Sequence, residues 1–224
     1  MKYEAKAWKE TEGACLRNFN EQAQIDSVNG ALALRPQIEK IIDQIWEEGF
    51  DGIYFIGIGG TYASSMQVEV YMRGRSKLPV FVENAAEFLT TGNKKFTNKS
   101  VVIISSVSGN TKEMVELVDR VHEKGAKVFS FIDNPGTTLT QPDKQDYLIV
   151  YPMNEQLKFY MVANYLMYKN GEFDDYDRYN KVMEDLSGTA AGMTGSSSSS
   201  SIPNAKSCKE RIFSRSLRRI SSCT

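Results

Sequence analysis

The stretch that most restricts the possible folds is residues 52–65, in which an apolar run leads into a glycine-rich turn. The run 53–58 is rich in β-branched and aromatic residues, as is typical of a strand that is buried on both faces of a parallel sheet. Gly57, Gly59 and Gly60 then allow a tight turn before a helical pattern begins. Such a turn leaves backbone amides free at a helix N-terminus, so we expect an anion to bind there.

A second stretch repeats this design further along the chain. Residues 100–105 predict another buried strand, and a polar loop and a helical pattern follow it. Because the carboxyl ends of parallel strands meet at one edge of a sheet, we expect the two loops to lie side by side. The second loop would add hydroxyl groups to a phosphate-binding site through Ser106, Ser108, Gly109, Asn110 and Thr111.

The alternation of strands and helices predicts the fold class. Between the predicted strands lie amphipathic helical segments of the length that right-handed βαβ crossovers require. The sequence therefore predicts an α/β fold, a three-layer αβα sandwich with a five-stranded parallel, flavodoxin-like sheet. The five strands are predicted at residues 53–58, 78–82, 101–104, 127–132 and 147–151.

Composition divides the chain into three parts. We expect an N-terminal arm at residues 1–26, one domain at 27–186 and a basic, serine-rich tail at 187–224. The tail contains twelve serines, six of them consecutive at 196–201, and six basic residues against one acidic residue. A segment of this composition does not bury enough apolar surface to offset its ordering entropy. It is either a linker or regulatory tail, or a segment foreign to the fold.

The bulk properties exclude several classes of protein. The formal net charge is −1, and the acidic residues are concentrated before the tail, which argues against general nucleic-acid binding. No run approaches the roughly 18 apolar residues that a membrane span requires. The charged N-terminus lacks a signal-peptide core, so we expect a cytoplasmic protein. Cys15, Cys208 and Cys223 are too few and too scattered to predict a metal site or a disulfide framework.

The first glycine turn alone leaves other interpretations open. It partly matches the dinucleotide fingerprint G-x-G-x-x-G, and Glu83 lies near the position of a ribose-binding acid, but Tyr62 occupies the place of the third glycine. Neither loop contains the Gly-Lys-Ser/Thr ending of a P-loop. The second loop distinguishes these possibilities, because a dinucleotide fold does not require its hydroxyl-rich pattern.

Together, the two loops resemble those of the SIS (sugar isomerase) family, in which G-x-G-x-S/T and S-x-S-G-x-T loops hold a sugar phosphate. The resemblance covers about residues 27–170. Residues 82–88 are also similar to the E-x-A-S-E-F segment of the aminosugar-phosphate branch, with Ala86 in place of the serine. Within the family the chain looks most like the first half of the fructosamine (fructoselysine 6-phosphate) deglycases.

The resemblance implies a set of phosphosugar-binding residues. Thr61 and Thr111 each precede a helical pattern, so helix capping is an additional role open to their hydroxyls. No metal or cofactor is implied, and the partner is a small sugar phosphate. The implied binding residues are Gly59, Gly60, Thr61, Ser106, Ser108, Gly109, Asn110 and Thr111.

Candidates for acid/base chemistry are few. His122 is the only histidine, but its place in the helix after the second loop puts it roughly 16 Å from the phosphate. Glu69 lies where several SIS isomerases have an acid/base glutamate, often beside a partner subunit. In the deglycases the acid/base Glu and His belong to a second SIS half that this chain lacks, so the alternative is a non-catalytic phosphosugar-binding or regulatory module. The apolar segment 154–168 predicts a homo-oligomer formed through SIS helices.

Overall fold

The computed structural model describes residues 21–195, with side-chain positions for residues 25–185. Within this part of the chain, five strands alternate with seven α-helices. The strands are β1 (Gly52–Gly57), β2 (Val80–Asn84), β3 (Ser100–Ser106), β4 (Lys127–Ile132) and β5 (Tyr147–Val150). The helices are α1 (Glu21–Ala33), α2 (Arg35–Glu48), α3 (Gly60–Arg73), α4 (Ala85–Thr91), α5 (Lys112–Glu123), α6 (Glu155–Lys169) and α7 (Tyr176–Gly195).

All five strands run parallel, in the order β2-β1-β3-β4-β5. This order confirms the predicted flavodoxin-like sheet. The strand order reverses between β1 and β3, which are neighbours with Ile56 opposite Ile104. The carboxyl ends of β1 and β3 therefore lie side by side, which brings the two polar loops to one edge of the sheet.

Helices cover both faces of the sheet, so the central strands bury mostly apolar side chains on both faces. Along β1, Ile53 and Phe55 belong to one buried cluster with α2, α3 and α6. The intervening Tyr54 and Ile56 belong to a second buried cluster with α4 and α5. Every residue of β1 and β3 is buried, as expected for central strands with side chains alternating between two cores.

The structure extends two of the predicted segments. Helix α1 begins at Glu21, inside the predicted arm, and α7 continues to Gly195, beyond the change in composition at Ser187. Residues 187–195 include alanines and a methionine, which favour helix despite the neighbouring glycines. Residues 1–20 and 196–224 lie outside the described residues, so the division into arm, domain and tail stays a prediction.

Helix α6 is apolar around most of its circumference. Its large side chains are buried against α2 and α3 of the same chain, and Phe159, Val162 and Leu166 are almost fully buried. The apolar surface that predicted self-association through this helix is therefore largely covered within one chain. No helix among residues 21–195 combines the length and apolar character needed to cross a membrane.

Candidate functional site

A cavity of about 780 Å³ lies at the carboxyl ends of β1 and β3. Both predicted loops contribute to one wall, through Gly60, Thr61, Ser106, Ser108 and Thr111. The other wall comes from the segments that follow β4 and β5, through Asp133, Asn134, Met153, Asn154 and Glu155.

The first loop is held by a contact within itself. The Thr61 hydroxyl accepts a hydrogen bond from the amide of Ile58 and donates one to the carbonyl of Ile58, both at 3.0 Å. Position 57 requires glycine, because a Cβ there would lie 2.6 Å from the backbone nitrogen of Tyr62. The backbone of Gly59 has a φ of 60° and leads directly into α3. The loop therefore presents the amides of a helix N-terminus to the cavity, while the Thr61 hydroxyl closes the turn.

The second loop is held by hydroxyl groups. The Ser106 hydroxyl accepts a hydrogen bond from the Gly109 amide at 3.0 Å, and the hydroxyls of Ser108 and Thr111 pair at 3.0 Å. The amide of Asn110 donates to the Ser108 hydroxyl at 3.3 Å. A serine or threonine hydroxyl offers one donor and two acceptor sites, so these groups can make further bonds to a ligand.

Neither threonine caps a helix with its side chain. Thr61 lies inside α3, whose N-cap is Gly59. Thr111 is the N-cap of α5, but its hydroxyl bonds Ser108 and makes no bond to a helix amide. The capping role considered for both residues is therefore wrong in this structure.

Contacts with the segment after β4 fix the shape of the second loop. Gly109 has a φ of 63°, and a Cβ there would lie 2.0 Å from the hydroxyl of Thr137. The Asn110 carboxamide oxygen accepts hydrogen bonds from the amide and the hydroxyl of Thr138, both at 2.8 Å. Gly109 and Asn110 thus hold the loop, while Ser106, Ser108 and Thr111 line the cavity.

The opposite wall contains a buried ion pair that the sequence analysis missed. The Lys158 ammonium is fully buried; it donates to the Tyr151 carbonyl at 2.8 Å and to Asp133 Oδ1 at 3.4 Å. Burial lowers the pKa of Lys158, and the charge of Asp133 opposes that shift. Asp133 Oδ2 accepts a hydrogen bond from the amide of Met153 at 2.9 Å. The pair therefore connects the end of β4 to the turn before α6.

Glu155, the first residue of α6, adds a carboxylate to this wall. Its Oε1 accepts a hydrogen bond from the Ser64 hydroxyl at 2.5 Å, and Ser105 donates to Oε2 at 3.5 Å. The residues before it, Met153 and Asn154, both have left-handed backbones, with φ of 60° and 54°. The sequence carried a signal for this position, because Glu155 follows the fifth strand at the same edge of the sheet as both loops.

No Lys, Arg or His side chain of the described residues lines the cavity. A phosphate bound there would be held by hydroxyls, by backbone amides and by the partial positive charge at the N-termini of α3 and α5. A carboxylate on the far wall would repel that phosphate. The cavity is therefore electrostatically asymmetric, with two helix N-termini at one end and a carboxylate at the other.

The two acid/base candidates from the sequence lie away from the cavity lining. Glu69 lies on α3 and accepts a hydrogen bond from Arg73 at 2.6 Å. Its catalytic role stays a prediction. His122 lies in the last turn of α5, where its Nε2 is 3.0 Å from Asp146 Oδ2, in agreement with the expected position remote from the loops.

The fold and cavity together define a doubly wound α/β protein with a cleft at its topological switch point, where ligands of such folds bind. Residues 50–168 match the model of the SIS domain family, which is more than half of the chain. The chain belongs to the SIS domain family.

Known proteins resemble parts of this chain. The glutamine–fructose-6-phosphate aminotransferase [isomerizing] of Fusobacterium nucleatum is 27% identical over 148 residues, which cover 61% of this chain and 24% of the relative. A proposed phosphosugar isomerase of Salmonella typhimurium LT2 has a similar fold, with a TM-score of 0.62, 23% identity and coverage of 68% of this chain and 49% of its own.

A third similar structure is the C-terminal domain of glucosamine-fructose-6-phosphate aminotransferase from Francisella tularensis. Its TM-score is 0.62 at 14% identity, with 75% of this chain and 52% of that chain covered. At these identities the two solved structures show a shared fold. The chain spans about a quarter of the F. nucleatum relative's length and about half of each solved chain.

Proposed function

We propose that this chain binds a sugar phosphate in the cavity between the two loops, with the phosphate at the loops and the sugar against the opposite wall. The observation that carries the proposal is the convergence of two helix N-termini and the hydroxyls of Ser106, Ser108 and Thr111 on one cavity. Family membership and the fructose 6-phosphate in the name of the F. nucleatum relative support it. The implied binding role of Gly59, Gly60, Thr61, Gly109 and Asn110 is part of the same proposal.

Phosphate dependence of binding tests the proposal directly. At about 100 times its dissociation constant, fructose 6-phosphate should stabilise the folded chain by about 2.7 kcal/mol. Unphosphorylated fructose should give little shift, because the loops offer mainly phosphate donors. The measurement is the melting temperature at matched ligand concentrations. Equal shifts with the two sugars would contradict the phosphate assignment.

The finer proposal is a cytoplasmic fructosamine-6-phosphate deglycase, or a fragment of one. In that reaction a base removes a C1 proton of a 1-amino-1-deoxyketose 6-phosphate, and an acid protonates C2. Water then hydrolyses the resulting Schiff base to glucose 6-phosphate and an amine. Residues 82–88 support this choice within the family, whereas the relatives described above are aminotransferases and isomerases by name.

The alternative is a phosphosugar-binding module without catalytic activity. It is supported by the absence of Glu69 from the residues that line the cavity. Incubation with fructoselysine 6-phosphate and an assay for glucose 6-phosphate separate the two. Turnover that survives Glu69→Gln would remove Glu69 as the acid/base residue, and binding without turnover would favour the module.

We further propose that the chain self-associates, through helix α3 rather than α6. Met66 and Val70 are large apolar side chains on α3 that are 47% and 65% exposed. Together with Tyr71 of the same helix and Tyr160 of α6, they line a surface groove. Sedimentation at tens of micromolar protein should show a dimer, because this concentration exceeds a dimer dissociation constant of about 1 μM. Val70→Lys should shift the chain to monomer, and a wild-type monomer would contradict the proposal.

A further inference from the structure

We propose that Glu155 is a specificity-determining residue of the cavity. Its carboxylate accepts a hydrogen bond from the end of the ligand opposite the phosphate, and it favours a protonated amine over a hydroxyl at that end. The inference rests on the proposed function, because it takes a phosphate at the two loops as given. It assigns the acidic wall a role in ligand recognition that the loops cannot perform.

The Glu155 carboxylate is fixed in direction. Ser64 and Ser105, which donate to its two oxygens at 2.5 and 3.5 Å, are themselves 7% and 1% exposed. These two contacts connect α6 to α3 and to the end of β3. Two carboxylate oxygens have about four acceptor sites, so about two remain for a ligand in the cavity that Glu155 lines. An ionised carboxylate only accepts hydrogen bonds, so the ligand group that faces it must be a donor.

The charge of Glu155 lacks the compensation that Asp133 has. The oxygens of Asp133 accept from the Lys158 ammonium and from the Met153 amide. Among the side chains of residues 25–185, none forms an ion pair with Glu155. Lys158 is close enough to sense the charge of Glu155, but its ammonium is bonded to Asp133 and Tyr151. A ligand ammonium would supply the missing partner through a charge-assisted hydrogen bond, which is about twice as strong as a neutral one.

The backbone before Glu155 is built to hold this orientation. The two consecutive left-handed residues, Met153 and Asn154, are held by the Met153 amide bond to Asp133 and by an Asn154 bond to the Ser27 hydroxyl at 2.5 Å. A glutamate in the first turn of a helix ordinarily stabilises the helix dipole. That role requires neither the left-handed pair nor the bonds to α3 and β3. Glu155 is therefore distinguished from an ordinary first-turn acid by what it contacts across the cavity.

Calorimetric titration of the full chain at pH 6.5 with three probes tests the inference. The probes are glucosamine 6-phosphate, glucose 6-phosphate and inorganic phosphate, and the two sugars differ only by an amine in place of a hydroxyl. The wild type should bind glucosamine 6-phosphate about tenfold more tightly than glucose 6-phosphate. Glu155→Gln keeps the shape and removes the charge, so its two affinities should agree within about twofold. Inorganic phosphate should bind Glu155→Gln no more weakly than it binds the wild type, because the substitution removes a charge that repels the phosphate.

The matched control is Glu123→Gln, which removes one exposed carboxylate at the far end of α5 and should keep the tenfold preference. If Glu155→Gln does not fold, Ser64→Ala removes the 2.5 Å contact and should reduce the preference while leaving the Glu155 charge in place. A wild type that binds both sugars equally, or a Glu155→Gln that keeps the tenfold ratio, would overturn the inference and leave the proposed function standing. Failure of the wild type to bind any phosphorylated probe would overturn the proposed function itself.

Discussion

The two walls of the cavity differ in their chemical groups. The wall formed by the loops after β1 and β3 contains glycine, hydroxyl groups, backbone amides and the residues Ile58 and Val107, without a charged side chain. The wall formed after β4 and β5 contains Asp133 and Glu155, with Lys158 buried behind them. Under the proposed function, the uncharged wall would bind the phosphate that sugar phosphates share, and the charged wall would contact the part in which they differ.

Removal of the buried ammonium should have the largest effect on the charged wall. Lys158→Met leaves Asp133 as an uncompensated buried charge, which typically costs about 3–5 kcal/mol of unfolding free energy. Urea denaturation measures that loss. Lys158→Met combined with Asp133→Asn removes both charges and retains an acceptor for the Met153 amide, so it should recover much of the stability. A single variant within 1 kcal/mol of the wild type would show that the pair is not a structural unit.

Addition of a methyl group at Gly109 should lower the unfolding free energy almost as much as the loss of the Lys158 ammonium does. Gly109→Ala must place its Cβ against the Thr137 hydroxyl while holding a φ of 63°, so strain and overpacking together should cost about 3 kcal/mol. Gly136→Ala is the matched control, because Gly136 has a φ of 72° with no atom within 4 Å of its missing Cβ. It should lose only about 1 kcal/mol. Equal losses in urea denaturation would mean that the contact with Thr137 carries no cost.

The same contrast explains what the sequence could predict. The first wall consists of short motifs, in which a strand, a glycine turn and a helix start lie within 15 residues, so local patterns were enough to place Gly60, Thr61, Ser106, Ser108 and Thr111 at one edge. The strand order also followed, since it is common to doubly wound folds with this alternation.

The second wall depends on contacts between residues far apart in the chain. Ser64 meets Glu155 across 91 positions, and Asp133 meets Lys158 across 25. The position of Glu155 after the fifth strand places it at the edge of the sheet that carries both loops, but no local pattern distinguishes its contacts from those of a solvated first-turn glutamate. Lys158 likewise has the pattern of an ordinary polar position on a helix. The roles of Thr61 and Thr111 were likewise ambiguous, because a hydroxyl before a helix has several possible partners and only the folded backbone selects among them.

Substitution of two hydroxyl-bearing residues in the uncharged wall should distinguish a structural role from a role in ligand binding. Thr61→Val removes a group that bonds both the amide and the carbonyl of Ile58, so it should cost about 1–2 kcal/mol of unfolding free energy. Ser108→Ala removes an exposed hydroxyl that faces the cavity. It should leave stability within about 0.5 kcal/mol of the wild type and weaken fructose 6-phosphate binding by about 1 kcal/mol.

The measurements are urea denaturation and calorimetric titration of both variants. If Ser108→Ala proves the more destabilising variant, the hydroxyl pairs of the second loop are structural. The Ser108 hydroxyl would then contribute more to stability than the Thr61 hydroxyl does.

The smallest expected effect is a dependence of the unfolding free energy on pH. It would show whether burial destabilises the Lys158 ammonium. The pKa of Lys158 lies below its ordinary value of 10.5, chiefly because burial disfavours the ammonium. Between the lowered pKa and 10.5, the unfolded chain therefore binds more protons than the folded chain does. Stability must rise with pH across that window, because the unfolded state loses its advantage in proton binding as the proton concentration falls.

Buried tyrosines act in the opposite direction at the alkaline end. Burial raises the pKa of Tyr54 from 10.0 to about 12, so stability falls as pH rises above 10. The double variant Asp133→Asn/Lys158→Met retains the tyrosines and lacks the pair, so its difference from the wild type isolates Lys158. Urea denaturation from pH 7 to 10.5 should show the wild type gaining stability relative to this variant as pH rises. A difference that stays constant would mean that Lys158 titrates alike in both states, and that the hydrogen bonds to Tyr151 and Asp133 fully offset its burial.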